Sequence, residues 1–134
     1  MHNDIILEYL EIIAEALELV AKRFWEIDNP EEFILSDYNL TLIDAISMRL
    51  QVIGEKAKKI EKHSPGFWDS YGVDAQPIIR FRDFISHHYE DVEYEIILDA
   101  CKNNLPDFSR KVNALLRPGW KLRFDLTPVG FLLF

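Results

Sequence analysis

The sequence predicts an all-α fold, an antiparallel helical bundle of about five helices. Two observations carry this. Ile6, Leu10, Ile13, Leu17, Val20 and Phe24 recur at spacings of four and three, and Ile43, Ile46, Leu50, Ile53, Ala57 and Ile60 form a second such stripe. A third observation is the rarity of the alternative: strict alternation of apolar and polar residues occurs only in residues 120–126, "WKLRFDL".

Composition narrows the class. The length of 134 residues is that of one domain, and 49% hydrophobic residues is enough to bury a core without covalent staples. A single cysteine, Cys101, excludes an intrachain disulfide. Asp4, Glu8, Glu11, Glu15 and Glu18 interrupt the first apolar stripe, so no signal peptide is expected and the cytoplasm is the expected location. No apolar run has membrane-spanning length. Lys and Arg number 15 against 23 Asp and Glu, a net charge of −8. Proteins that coat DNA draw their affinity from cations on phosphates, so this chain is not expected to be one. Local RNA binding through a few arginines, or binding to a basic partner, stays open.

Each element has its own signals. Asn3 or Asp4 can cap a first helix reaching about Trp25, and Asp28-Asn29-Pro30 ends it. Ser36 or Asp37 can cap a second, reaching about Lys62. Gly54 falls in its middle, where glycine costs up to ~1 kcal/mol against alanine. It reads either as close approach of another backbone or as a tolerated helix glycine. His63-Ser64-Pro65-Gly66 is a break, and Phe67, Trp68 and Tyr71 follow in a predicted loop. Those rings either plug the bundle end or offer stacking surfaces to bases. Asp74 can cap a third helix with Pro77 in its first turn. Glu90-Asp91 begins a turn, residues 92–103 read as a fourth helix with Ile97 and Cys101 inward, and Pro106 opens a fifth. Pro118-Gly119 stops it. The helical domain is thus 1–117, with 118–134 an extended or disordered tail. That tail could lie in a groove or pair with a symmetry mate.

The third helix ends in the densest chemistry of the chain, Arg82-Asp83-Phe84-Ile85-Ser86-His87-His88-Tyr89. At 100° per residue, Arg82 and Tyr89 lie nearly in register with Ser86 between them, and Asp83 and His87 form a neighbouring stripe. Arg82 suits a phosphate and His87 suits proton transfer near neutral pH. The bland alternative is a surface helix carrying an Arg and a His. Asp83 can orient His87 or form a solvated pair with it. Ser86 and His88 either line a cleft or are simply exposed. Arg80 and Arg49 can add positive charge, with a structural salt bridge the alternative for Arg49. No metal is expected: His87 and His88 point about 100° apart on a helix, and one cysteine excludes thiolate zinc sites. No glycine-rich phosphate loop or nucleophile elbow is present.

The run from Arg82 through the polar Asp83 to His87 resembles the signature of the HEPN superfamily. Tyr89, two past the histidine, resembles the HepT-like branch of bacterial and archaeal toxins. "IGEKAKKI" (53–60) is similar to that branch's second-helix motif, and residues 87–108 are similar to the passage from its catalytic helix into its last helices. The likeness spans most of 4–116. Residue 83 departs from it, being Asp where Asn is usual. The resemblance implies a metal-independent endoribonuclease without a cofactor, with RNA as substrate. Arg82 and His87 would be catalytic, and Asp83 and Ser86 supporting. It also implies a homodimer that brings both copies of the motif to one cleft, since Arg82 and His87 point about 140° apart on their helix. It further implies a type VII-like toxin, silenced when a minimal nucleotidyltransferase antitoxin adenylylates Tyr89. An alternative of another class is a non-catalytic helical module that binds such a nucleotidyltransferase.

Overall fold

A computed structural model describes residues 2–24, 27, 29, 31–32, 35–88 and 94–117, with the backbone alone for residues 2, 3, 87 and 88. The described residues are helical and include no strand. Both long stripes form the expected helices, α1 (His2–Phe24) and α2 (Asp37–His63). Ser36, not Asp37, is the cap of α2: its Oγ accepts from Asn39 N at 3.0 Å. The Lys56 ammonium sits 5.2 Å from the Tyr9 ring centroid, so the start of α1 lies beside the end of α2 and the two run antiparallel. Between them Ile6, Leu10, Ile13, Val20, Ile46, Ile53, Ala57 and Ile60 are wholly buried. No helix among the described residues is long and apolar enough to cross a membrane.

The predicted loop after α2 is instead a single helical turn, α3 (Phe67–Ser70), entered through Gly66 at φ 85°. Its backbone can turn helical because the aromatic residues have a core to enter. Phe67, Trp68 and Tyr71 are buried, Trp68 Nε1 donates to the Ala57 carbonyl at 2.9 Å, and its ring lies 5.5 Å from that of Phe108. They plug the bundle end, and their burial removes the base-stacking alternative.

Helix α4 (Gln76–His88) carries the motif. The Asp74 carboxylate accepts from Gln76 N at 3.2 Å at its start, as the capping signal predicts. Beyond it, α5 (Tyr94–Asp99), a π turn (Ala100–Asn104) and α6 (Leu105–Leu115) follow without interruption. The expected break before Pro106 is absent. Proline has no N–H for the α bond to residue 102 and its ring crowds that carbonyl, and the wider π turn absorbs both problems. Leu105 N–H bonds to the Ala100 carbonyl across it. The predicted turn at Glu90-Asp91 and the tail 118–134 lie outside the described residues.

The placement of α4 depends on Gly54. A Cβ built there would overlap Arg82 Cβ and lie 2.8 Å from its Cγ and 3.0 Å from the Ile78 carbonyl oxygen. Close approach, rather than mere tolerance, is therefore the reason for the glycine. Gly54→Ala should lower stability in urea unfolding by about 1–3 kcal/mol, because overpacking outweighs the gain in helix propensity of up to ~1 kcal/mol. An unchanged or higher urea midpoint would show that α4 is not seated on this glycine.

Candidate active site

Arg82 enters the seam between α2 and α4 beside Gly54. Its Nη1 donates to Asp83 Oδ1 at 2.8 Å, with 28% of the Arg82 and 42% of the Asp83 side chain exposed. Its Nε is buried and has no hydrogen-bond partner among the described residues. A buried unpaired N–H costs about 1–3 kcal/mol. The guanidinium is thus pinned at Nη1 and left unsatisfied at Nε, with part of the side chain still exposed.

One turn further on, Ser86 Oγ donates to Gln51 Oε1 at 3.0 Å. Gln51 stands one turn before Gly54 on α2, so the seam has two clasps, Gly54 with Arg82 and Gln51 with Ser86. Ser86 is exposed, and its neighbour in the chain is His87. Sequence reasoning missed Gln51. Its spacing of three before Gly54 was the available signal, since both then face the same neighbouring helix.

The motif thus divides between the two sides of α4. Arg82 and Ser86 lie on the side that meets α2, whereas position 87 falls on the stripe of Asp83, about 140° from Arg82. Asp83 bonds to Arg82, an orienting contact that the sequence reading did not include. Its expected contact with His87 concerns a side chain outside the described set, as do the placements of His88 and of Tyr89. Arg80 is exposed on α4. Arg49 is half-buried and forms no ion pair among the described residues, so the expected salt bridge is not found there.

Among the described residues, no group of three or more His, Cys, Asp or Glu is placed to hold a metal ion. Cys101 is buried, and burial pushes its thiol from an ordinary 9.0 up to about 12, so it offers no thiolate nucleophile near neutral pH. What the site does present is a cation, a carboxylate and a hydroxyl near the end of α4, which also carries the backbone of two histidines, with the Gln51 amide of α2 beside them.

The model of the family "Ribonuclease HepT-like" matches residues 6–115, which spans α1 to α6 and includes every described site residue. The chain belongs to the HepT-like ribonuclease family. The expected enzyme class agrees with that description. Two similar proteins each bear the name "Putative RNase". One, from Caldanaerobacter subterraneus subsp. tengcongensis, is 29% identical over 114 residues, covering 81% of this chain and 92% of its own length. The other, from Methanocaldococcus jannaschii, is 31% identical over 74 residues, covering 54% of this chain and 59% of its own length. No solved structure matches.

The buried thiol of this HepT-like chain can be tested directly. Native protein at about pH 8 should leave Cys101 unlabelled by Ellman's reagent, and urea-unfolded protein should react at once. Because the folded chain holds the thiol proton more tightly, the unfolded chain ionises first. The thiol's contribution is therefore intact below the ordinary value of 9.0 and is lost as pH rises towards about 12. Cys101→Ala should flatten the decline of stability over that alkaline range. Rapid stoichiometric labelling of the native protein would contradict the packing around α5 and α6.

Proposed function

We propose that this HepT-like protein is a metal-independent endoribonuclease whose site is completed by dimerisation. The observation that carries the reading is the spacing of Arg82 and His87 on α4, with Arg82 wedged at Gly54 and only partly satisfied by Asp83. RNA supplies its own nucleophile, the ribose 2′-OH. One histidine takes that proton as the 2′ oxygen forms its bond to phosphorus. The bond to the 5′ oxygen then breaks, and a second imidazole protonates the leaving oxygen. The products are a 2′,3′-cyclic phosphate and a free 5′-OH. Arg82 holds the phosphate and offsets charge growing on its oxygens.

One α4 frames a phosphate poorly, with positions 82 and 87 about 140° apart. In a two-fold dimer each histidine meets an arginine from either chain, and the two imidazoles take the two proton-transfer roles. Asp83 fixes the guanidinium and, one turn before His87, also steadies the imidazolium. Ser86, held by Gln51, fixes the end of α4.

The resemblance supports regulation of the toxin-antitoxin kind, in the cytoplasm. A nucleotidyltransferase antitoxin would join the Tyr89 oxygen to the α-phosphorus of ATP, releasing pyrophosphate. Tyr89 is seven residues past Arg82, so the added anion would occupy the phosphate position and its bulk would cover the site. The net charge of −8 favours a second reading, a non-catalytic module that docks on such an enzyme.

His87→Ala should lower RNA cleavage by about 100-fold or more, the usual worth of a general acid or base. Arg82→Lys should also lose most activity, since an ammonium lacks the planar fork. Circular dichroism should be unchanged for both. A His87→Ala protein as active as its parent would sink the enzymatic reading, and a monomer by light scattering at micromolar concentration would sink the composite site.

Tyr89→Phe should keep cleaving RNA in the presence of the nucleotidyltransferase and ATP, whereas the parent gains the mass of AMP and falls silent. His87→Ala should be inactive yet still gain that mass. If Tyr89→Phe gains the same mass as the parent, the modified residue lies elsewhere.

A further inference from the structure

The side of α4 facing away from α2 borders a groove of about 560 Å³. Arg80, Phe81 and Phe84 of α4 line it on one side, with Ile96, Asp99 and Asn104 of α5 and the π turn opposite. Phe84 and Ile96 keep 38% and 39% of their surfaces exposed. Arg80 is exposed and forms no ion pair among the described residues. Asp99 Oδ1 accepts from Asn103 Nδ2 at 2.6 Å, which leaves Oδ2 as an acceptor. The groove therefore combines two aromatic rings, a cation and two short polar side chains. Largely apolar walls with a few convergent polar groups are the usual make-up of a small-molecule site.

Its place on the helix is the second observation. Pro77, Arg80 and Phe84 follow one another at spacings of three and four along α4. Continuing that stripe by three and four residues reaches positions 87 and 88. The groove thus lies along the same face of α4 as the backbone position of His87, one turn towards the helix N-terminus.

We propose that this groove is a subsite for one unpaired nucleotide of RNA, next to the phosphate that is cut. The base stacks on Phe84, the adjoining phosphate lies on Arg80, and Asp99 Oδ2 accepts from an amino group on the base edge. Adenine and cytosine present such an amino group. Uracil has carbonyl oxygens flanking its single N–H, and these repel a carboxylate. The subsite therefore favours adenine or cytosine over uracil. The proposal rests on the reading of the chain as a ribonuclease, but its test does not require cleavage.

The test uses the full chain and three six-nucleotide 2′-O-methyl oligomers, all-adenosine, all-cytidine and all-uridine, which lack the nucleophile. Fluorescence anisotropy should show the uridine oligomer binding more weakly than the other two. Phe84→Leu, which keeps the apolar bulk but loses the stacking face, should weaken binding of all three by about tenfold. Asp99→Asn, at an exposed position, should leave the fold intact and narrow the gap between uridine and the others. Light scattering should give the same mass for Phe84→Leu as for the parent. No measurable binding by the parent, or equal binding by parent and Phe84→Leu, overturns the subsite. A shift of Phe84→Leu to monomer overturns it in favour of a groove covered by a second copy. A protein that binds the oligomers as expected but cleaves no unmodified RNA keeps the subsite and rejects the enzymatic reading.

Discussion

The absence of one side chain organises this molecule. At Gly54 the surface of α2 is low enough for α4 to settle onto it, with Arg82 Cβ and the Ile78 carbonyl where a larger residue's Cβ would be. The contact sets the depth of α4, and with Gln51 and Ser86 one turn along it sets the rotation as well. Two contacts of this kind leave a helix little freedom to roll. The consequence is that Arg82 is presented chiefly by packing, with Asp83 as its ion-pair partner and its Nε buried without a hydrogen bond among the described residues. Apolar packing elsewhere holds the frame, and the polar cost stays local.

Much of this was legible in the residues. Helical period predicts α1 and α2 because each buries a continuous stripe, and Gly54 stands out because a mid-helix glycine has a cost that needs a reason. Capping chemistry located the starts of α2 and α4 within a residue or two. Other features were hidden by tertiary context. The turn at α3 contains no helical period, being one turn long, and forms because Trp68 finds the Ala57 carbonyl and the Phe108 ring. Gln51 gains its role only because packing brings Ser86, distant in sequence, within reach of its amide. The pairing of Asp83 with Arg82 was obscured because adjacent residues on a helix point about 100° apart, and only a long flexible arginine bridges that angle.

The two sides of α4 have different surroundings. The side on α2 is tight and holds its polar groups in fixed positions. The other side opens on aromatic and apolar residues with short polar ends. An acidic chain that handles a polyanion needs such division, because its favourable contacts must be few and local rather than spread over the surface.

The π turn between α5 and α6 bears on how this chain can vary. Buried Ile97, Cys101 and Leu105 are each four residues apart, and Phe108, Val112 and Leu115 then resume the mixed spacing of three and four. Two successive steps of four would drift about 80° around a regular α-helix, and the wider π turn takes up that drift. The turn thus acts as a phase adjuster between two helical segments, one bordering the groove beside α4 and the other packed on α1. Substitutions at the exposed positions of Ala100–Asn104 keep the length on which that alignment depends. Loss of a single residue there would regularise the helix and swing Ile96 and Asp99 away from α4, even if every side chain of the groove were retained. In this segment, chain length constrains variation more tightly than residue identity does.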